Sequence, residues 1–255
     1  MIVQQTMYIV ENGVTKPEYN LALEEHLCHL AERDGQEFFM LWRNEPSVIV
    51  GRFQNVPDEV NVVFAAAQNI PIIRRNSGGG AVYHDLGNVN YSFITRERRG
   101  HGFAFFSERI IRALSNLGAE AEFSMSNNDI TVNGTKFSGM AQYSHNGTLL
   151  CHGTLLFDCQ LDVLPIILNV PDEKLRRHGV KSVRGRVTNL KTFIPHVPDT
   201  EAFMELLRME FMREGAVFAL SALDKDEVKR LAEEKYASRL WNFKGQCNVL
   251  KREDI

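Results

Sequence analysis

The sequence predicts an α/β (α+β) fold, in which a mixed β-sheet is flanked by helices. Three observations indicate it: β-prone runs alternate with amphipathic segments, two Asn-Gly pairs mark tight hairpins, and 44% of the 255 residues are hydrophobic. A chain of this length and composition can bury a substantial core. No repeat, low-complexity tract or linker interrupts it before residue 240, so we expect a single domain over residues 1–255.

The first part of the chain predicts two helices with strands between them. Asn20 is placed to cap a helix over residues 20–33, and Gly35 follows as its stop. Three leucines share one face of this helix, Leu23, Leu27 and Leu30. Strand-like runs follow at 38–42, 48–51, 72–74 and 89–94. A second amphipathic helix is predicted at 103–117, ended by Gly118.

The second part begins with predicted antiparallel strands over residues 119–157. Asn133-Gly134 and Asn146-Gly147 each suit a two-residue turn, in which both positions need positive φ. A long polar and basic loop is expected at 169–189. Helices are predicted at 201–213 and 225–236, the latter with Asp224 and Glu227 as a capping pair, and the charged end at 250–255 resembles a tail.

Composition narrows the class of protein. A net charge of −3 gives no general case for nucleic-acid binding. No apolar run is long enough to span a membrane, and the first residues lack the regions of a signal peptide, so we expect a cytoplasmic protein. The four cysteines form no C-x-x-C pair, which argues against a zinc site or a disulfide framework.

The most informative segment runs from Arg74 to Asp85 and contains Gly78-Gly79-Gly80. A glycine run can bring several backbone N–H groups close to an anion or ester. Arg74 and Arg75 precede it, and Ser77 and His84 flank it. The segment therefore suits a phosphate or an activated carboxyl group, although it lacks the Lys-Ser/Thr pair of a phosphate loop and a plain hairpin turn remains an alternative.

A second candidate lies in the hairpin around Asn133-Gly134. Its turn is expected to bring Asp129 and Lys136 to the same end of the hairpin, and Gly139 implies a close backbone approach there. A lysine near a turn is usually solvated. In a site, its ammonium could bind a carboxylate and a phosphate oxygen, and the aspartate could hold Mg²⁺.

Two further segments leave both a chemical and a structural interpretation open. Cys151 and His152 are neighbours on a predicted strand and so point to opposite faces, which disfavours a dyad; an inert buried Cys151 is favoured over a nucleophile. The basic stretch 181–186 is either a solvated loop or a flap that closes over a nucleotide phosphate and excludes water.

Taken together, in this order and spacing, these motifs resemble the lipoate–protein ligase A family. The matching pieces are 74–85 with Gly87-Asn88, 128–141, 152–154 and the stretches around 182–184 and 186–189. The resemblance implies a mixed-sheet fold shared with biotin ligases. It also implies that lipoate attacks the α-phosphate of ATP, with Mg²⁺, to form lipoyl-AMP. A lysine of an acceptor lipoyl domain, in a 2-oxoacid dehydrogenase E2 subunit or the glycine cleavage H protein, then takes the lipoyl group.

The resemblance also implies roles for individual residues. Lys136 matches the family's essential lysine, which stabilises charge developing on oxygen. Asp129 is the expected Mg²⁺ ligand. Nucleotide-contacting positions fall on Arg75, Gly80, Ala81, Val82 and Tyr83, and the loop around the lipoyl carboxyl contains Ser77, Gly78, Gly79 and Gly80. The pocket lining is expected to include His84, Asn88, His152 and Thr154, and Arg184 lies in a loop that orders over the adenylate.

One departure from the family pattern concerns the accessory domain. Many members continue into a small C-terminal domain that bears on activation, and we expect this chain to lack it. Three consequences are open: a separate partner subunit that assists activation, transfer from preformed adenylate only, or a shortened chain. The expectation for residues 1–255 is a biotin/lipoate ligase-like catalytic domain.

Another departure leaves room for other activities. Cys151 stands where the family often has histidine, so an ATP-independent octanoyl or lipoyl transferase working through a Cys151 thioester, or less favourably Cys159, is the main alternative. The basic stretch 181–186 argues against it, because a thioester relay has no nucleotide phosphate to bind. A biotin ligase and a non-catalytic binding protein are ranked lower.

Overall fold

The computed structural model of the protein describes residues 6–169, 187–213 and 215–246. The strands in these ranges are β1 (Met7–Val10), β2 (Glu37–Trp42), β3 (Ser47–Val50), β4 (Ile72–Arg74), β5 (Val82–His84), β6 (Asn88–Arg96), β7 (Glu122–Ser124), β8 (Asp129–Val132), β9 (Thr135–His145), β10 (Thr148–Leu156) and β11 (Gly215–Phe218). The helices are α1 (Pro17–Asp34), α2 (Val56–Glu59), α3 (Val62–Ala67), α4 (Phe103–Asn116), α5 (Leu164–Ile167), α6 (Thr200–Met212), α7 (Ala222–Leu231) and α8 (Arg239–Lys244). A π turn, Ala232–Tyr236, joins α7 to the segment before α8.

The strands form two sheets. The larger has the order β11-β1-β2-β6-β10-β9-β8-β7, in which β1 is parallel to both neighbours and the other pairs are antiparallel. The smaller has the order β4-β3-β5, with β3 parallel to β4 and antiparallel to β5. The predicted mixed sheet flanked by helices is confirmed, but the strands are divided because β3 pairs with neither β2 nor β6.

Helices cover both faces of the larger sheet. Alternate residues of β2 point to opposite faces, so Phe39 packs against Phe93 and against Phe211 of α6, with ring centroids 4.8 and 3.9 Å away. Phe38 and Met40 lie in the core cluster on the other face, with α1 and α7. All six residues of β2 are buried, which is why this strand reads as an unbroken apolar run rather than an alternating one.

Both hairpin predictions are confirmed, whereas the predicted starts of α1 and α7 are wrong. Asn133 and Gly134 have φ of 50° and 72°, and Asn146 and Gly147 have φ of 47° and 76°. The first helix begins at Pro17 rather than at a cap on Asn20, because proline needs no N–H partner at a helix start. The buried Asn20 amide instead donates to the Val14 and Arg43 carbonyls and to Asn44 Oδ1.

Other boundaries differ by a turn or less. α7 begins with a capping box of Ser221 and Asp224, one turn before the predicted Asp224 and Glu227 pair. Strands β1 and β11 were not predicted. Most of the predicted loop at 169–189 and the charged end at 250–255 lie outside the described residues. Within the described part of the chain, no helix has the length and apolar character needed to cross a bilayer.

Candidate active site

A cavity of about 330 Å³ lies where the two sheets meet. Its walls come from α1, β2, β3, β5, β6, the β8–β9 hairpin and β10. Apolar side chains supply part of the lining, namely Leu21, Trp42, Ile49, Val82, Met140 and Ala141. Charged and polar groups supply the rest, including Arg75, Asp129, Lys136, His152 and Thr154. The cavity therefore offers an apolar wall beside a set of polar groups, as a small amphipathic ligand requires.

The β8–β9 hairpin brings Lys136 and Asp129 together, as its turn predicts. Lys136 Nζ is 2.8 Å from Asp129 Oδ1, and the side chains are 39% and 16% exposed. The ammonium is thus oriented by the carboxylate while remaining accessible to a ligand. Gly139 makes room for it, because a Cβ at that position would lie 3.0 Å from Nζ. After residue 187 the chain runs beside this strand, where the Thr188 N–H donates to the Lys136 carbonyl at 2.8 Å.

Arg75 holds the glycine-rich loop, residues 77–80, from within. Its Nη2 donates to the carbonyls of Gly78 at 2.6 Å and Gly80 at 2.9 Å, and its Nη1 donates to the Ile49 carbonyl at 3.2 Å. Burial lowers the pKa of Arg75 to about 10. Gly79 has a φ of +90°, which disfavours any side chain there. No described residue accepts a hydrogen bond from the N–H groups of Gly78, Gly79 or Gly80, and of the three glycines Gly79 and Gly80 line the cavity.

Ser77 begins a buried relay that reaches α1. Its Oγ accepts from Arg75 Nε at 2.9 Å and is hydrogen-bonded to His152 Nε2 at 2.6 Å. His152 Nδ1 in turn donates to Glu24 Oε1 at 2.8 Å. This is the order of groups in a serine hydrolase triad. Ser77 is fully buried and bonded to an arginine, however, so the relay positions the loop instead of supplying a nucleophile.

His84 is a neutral hydrogen-bond donor at the cavity wall. Burial lowers its pKa to about 3, and the charges of Arg75 and His152 act in the same direction. Asn44 Oδ1 accepts from Asn20, so the Asn44 amide donates to His84 Nδ1 at 3.0 Å and the ring proton lies on Nε2. That Nε2 is buried and finds no partner among the described residues.

Some predicted site residues are not brought to the cavity. Tyr83 points away from His84 on β5 and packs with the core of the smaller sheet, where burial raises its pKa to about 12. Asn88 does not line the cavity but donates to Asn90 Oδ1 at 2.9 Å, and Asn90 does. Arg184 lies outside the described residues.

The cysteines have the environment of inert core thiols. Cys151 is fully buried in the core cluster that holds α4 and α6, on the opposite side of β10 from His152. Burial raises the pKa of Cys151 to about 12, and burial also raises that of Cys159. A thioester relay needs an accessible thiolate. The transferase alternative is therefore not favoured by either residue.

The sequence prediction missed Glu24, Trp42 and Asn90. Glu24 is 3% exposed and accepts hydrogen bonds from Ser92 Oγ and from His152 Nδ1. The sequence did contain an indication of Glu24, because its helical position lies between Leu21 and Leu27 on the apolar face of the helix. Trp42 and Asn90 lie in strands whose residues are nearly all buried, so periodicity does not single them out.

Comparison with known proteins agrees with this geometry. The family model described as the lipoyl protein ligase A/B catalytic domain matches residues 16–212. Lipoate–protein ligase LplJ of Bacillus subtilis is 37% identical over 244 residues, which are 93% of this chain and 73% of that protein. Of the solved structures, a bi-partite lipoate protein ligase from Thermoplasma acidophilum, described with its E2 lipoyl domain, superposes with a TM-score of 0.82 at 26% identity, over 99% of this chain and 100% of the other.

A lipoate–protein ligase A bound with ATP superposes with a TM-score of 0.79 at 25% identity, over 94% of this chain and 98% of the other. These likenesses confirm the predicted resemblance and the predicted ligase class. They do not favour the thioester transferase. The chain thus belongs to the family of the lipoyl protein ligase A/B catalytic domain, and it is an enzyme of the lipoate–protein ligase type.

Proposed function

We propose that the chain attaches lipoate to a lysine of an acceptor lipoyl domain in two steps within this cavity. A lipoate carboxylate oxygen attacks the α-phosphate of ATP, which forms lipoyl-AMP and releases pyrophosphate. The ε-amine of the acceptor lysine then attacks the lipoyl carbonyl, which forms the amide and releases AMP. The observation that carries the proposal is the Lys136 ammonium, oriented by Asp129 and facing the cavity beside the glycine-rich loop.

Lys136 is the proposed catalytic residue. Its ammonium would contact both the carboxylate and the α-phosphate, whose negative charges otherwise repel each other as they meet. It would also stabilise the negative charge that develops on oxygen in each step. The free N–H groups of Gly78, Gly79 and Gly80 would add fixed donors that need no rearrangement during the reaction.

The apolar wall is the proposed site for the aliphatic part of lipoate. Leu21, Trp42 and Ile49 lie on different elements, so their shared surface exists only in the folded chain. Burial of the acyl chain against it would supply binding free energy in proportion to the apolar area removed from water. His84 and Thr154 are proposed to line the pocket, and Arg75 to act through the loop that it holds.

The residues around Asp129 fit a magnesium ion that is shared with the nucleotide. Asp129 Oδ1 is bound to Lys136, while its Oδ2 has no hydrogen-bond partner among the described residues. Asn127 and Asn128, which precede Asp129 in the chain, also line the cavity. Mg²⁺ in nucleotide sites is usually held by one or two carboxylates together with substrate phosphates and water, and Asp129 could supply the carboxylate. When bound, the ion would neutralise phosphate charge during activation.

The acceptor and any helper protein are further parts of the proposal. The acceptors are proposed to be lipoyl domains of E2 subunits or the glycine cleavage H protein. The T. acidophilum ligase that this chain covers over its whole length is described as bi-partite. On that similarity we include a separate accessory subunit that assists the activation step. A cytoplasmic location stays a prediction.

The test is the intact mass of an apo lipoyl domain after incubation with the chain. One reaction contains lipoate, ATP and Mg²⁺, and a parallel reaction contains lipoyl-AMP. Lys136→Met is compared with Lys191→Met, because Lys191 is 38% exposed and also pairs with an aspartate, at 2.5 Å. We expect Lys136→Met to abolish modification and Lys191→Met to leave it unchanged.

The two reactions separate the steps. Modification in both would support a self-sufficient ligase, and modification from lipoyl-AMP alone would support the accessory subunit. A lack of modification in both reactions would contradict the proposal. Equal activity of Lys136→Met and the unmutated chain would contradict the role given to Lys136.

A further inference from the structure

Each of the four residues that lead into the three glycines is anchored by its side chain. Arg74 donates from Nε to the carbonyls of Trp241 at 3.1 Å and Asn242 at 3.2 Å, and from Nη1 to the carbonyls of Gly51, Arg52 and Gln54. Arg75 binds the loop itself, and Ser77 is held through His152. The remaining residue, Asn76, is bonded to Glu25 and Lys235, from α1 and the π turn.

Lys235 is a buried cation that fixes Asn76. Its Nζ donates to Glu25 Oε1 at 2.9 Å, to Glu25 Oε2 at 2.7 Å and to Asn76 Oδ1 at 3.0 Å, and its side chain is only 10% exposed. Asn76 Nδ2 donates back to Glu25 Oε2 at 3.0 Å, so both ends of the amide are held. Tyr236 donates to the same oxygen at 2.6 Å.

Glu25 stays ionised in this cluster. Burial alone would raise its pKa, but the Lys235 charge and the hydrogen bonds from Lys235, Tyr236 and Asn76 lower the pKa below its ordinary value. Removal of the ammonium would leave a buried carboxylate without its counter-charge. The contacts of Asn76 therefore depend on Lys235 twice, directly and through Glu25.

The stretch of chain that contains Lys235 also holds Arg74, through Trp241 and Asn242. The Trp241 indole donates to the Arg74 carbonyl at 2.8 Å, and Asn242 Oδ1 accepts from the Arg74 N–H at 2.9 Å. Lys235 Nζ lies 4.3 Å from the centre of the Trp241 ring, which joins the two anchors to each other. A π turn is a costly irregularity that recurs at functional sites, and here it carries Lys235 and Tyr236.

We propose that the segment 232–242 positions the glycine-rich loop for acyl activation, with Lys235 as the positioning residue. The inference rests on the proposed function, in which this loop receives the lipoate carboxyl group. The Lys136 ammonium is held by Asp129 on the same β8–β9 hairpin, a contact that does not involve segment 232–242. Loss of Lys235 would thus displace the loop relative to Lys136 without removing either one.

The kinetic test compares Lys235→Met with Lys235→Arg and Lys229→Met. Lys229 is the matched control, because it lies on the adjoining α7, its side chain is 64% exposed and its Nζ lies 3.9 Å from Asp226 Oδ1. In Lys235→Met we expect the KM for lipoate to rise about tenfold, because the displaced loop would bind the lipoate carboxyl group less well, and the KM for the acceptor domain to stay unchanged; a tenfold change corresponds to ~1.4 kcal/mol. Lys235→Arg should recover most of the loss because a guanidinium can bind both the carboxylate and the amide oxygen.

A second readout needs no catalysis. Hydrogen exchange of the peptide covering residues 74–82 is measured in the substrate-free chain. We expect faster exchange there in Lys235→Met, with β6 and β10 unchanged and Lys229→Met like the parent. Unchanged exchange and an unchanged KM for lipoate in folded Lys235→Met would overturn the inference.

Two other outcomes, misfolding of Lys235→Met and inactivity of the parent chain, are interpreted separately. If Lys235→Met does not fold, Asn76→Ala removes only the amide: a raised KM for lipoate supports the inference, and parent-like values overturn it. If the parent chain modifies no acceptor at all, the proposed function fails, while the exchange measurement still decides whether Lys235 orders the loop.

Discussion

Replacing Gly139 by alanine tests the position of Lys136 by the addition of one carbon. The new Cβ would lie 3.0 Å from Lys136 Nζ, 3.3 Å from its Cε and 3.7 Å from Asp129 Oδ1. Favourable contact between such atoms begins at roughly 3.5 Å, so the ammonium must move by about half an ångström. Gly139 does not have a positive φ, so alanine fits the strand itself.

The displacement should reduce activity and spare stability. The end of the Lys136 side chain is 39% exposed and can move without disturbing the core. A misplacement of about 1 Å can cost roughly 10²-fold in rate, so half of that distance predicts a loss of about tenfold in kcat/KM. Alanine also restricts the unfolded chain more than glycine does, which adds about 0.4–1 kcal/mol to the free energy of unfolding.

The assay measures kcat/KM for acceptor modification from lipoate and ATP, together with the Tm of each variant. Gly13→Ala is the control, because a Cβ there meets nothing within 4 Å. The reasoning is refuted if Gly139→Ala keeps kcat/KM within about twofold of the parent while its Tm is equal or higher, since the expected loss is about tenfold. A large fall in Tm would instead indicate a backbone clash.

Three further predictions concern Asp129, Cys151 and His84. Asp129→Asn should raise the Mg²⁺ concentration for half-maximal rate by about tenfold or more, and an unchanged Mg²⁺ titration would contradict its role as a ligand. Cys151→Ala should retain ligase activity with no thioester adduct by mass, while lowering the free energy of unfolding by ~1 kcal/mol because of the cavity created. The pKa of His84 is lowered to about 3 in the folded chain. Between that value and the ordinary one near 6.5 only the unfolded state binds the proton, so stability should fall by about 1.4 kcal/mol per pH unit as the pH drops below ~6.5. Urea unfolding at pH 7 and pH 5 measures this dependence. Between these two pH values the free energy of unfolding should fall less in His84→Gln than in the parent, and an equal fall in both proteins would contradict the prediction.

Features encoded by adjacent residues were predictable from the sequence. Asn133-Gly134 forms its turn because these two residue types tolerate positive φ, and no distant contact is needed. The turn then brings Asp129 and Lys136 together, so that half of the site follows from local chemistry. The order and spacing of the motifs also indicated the family. Boundaries such as Pro17 were less certain, because several residues near a helix start can satisfy its first donors.

The direction in which side chains point was decided only by the tertiary structure. Arg75 was expected to contact a nucleotide, yet its donors are largely occupied by the carbonyls of the glycine-rich loop. Tyr83 and Asn88 belong to matching motifs but do not line the cavity. A motif records which residues occur together, whereas the alternation of a strand determines which of them share a face.

Contacts between distant parts of the chain had no counterpart in the sequence pattern. Glu24 and His152 are 128 residues apart, and Asn76 and Lys235 are 159 apart, yet both pairs anchor the same loop. No local periodicity or propensity encodes such pairs, because the strand order and helix packing that join them arise only when the whole core forms. Thus the sequence by itself determined the fold class, the hairpins and the lysine with its aspartate, while the tertiary structure decided what holds the glycine-rich loop in place beside them.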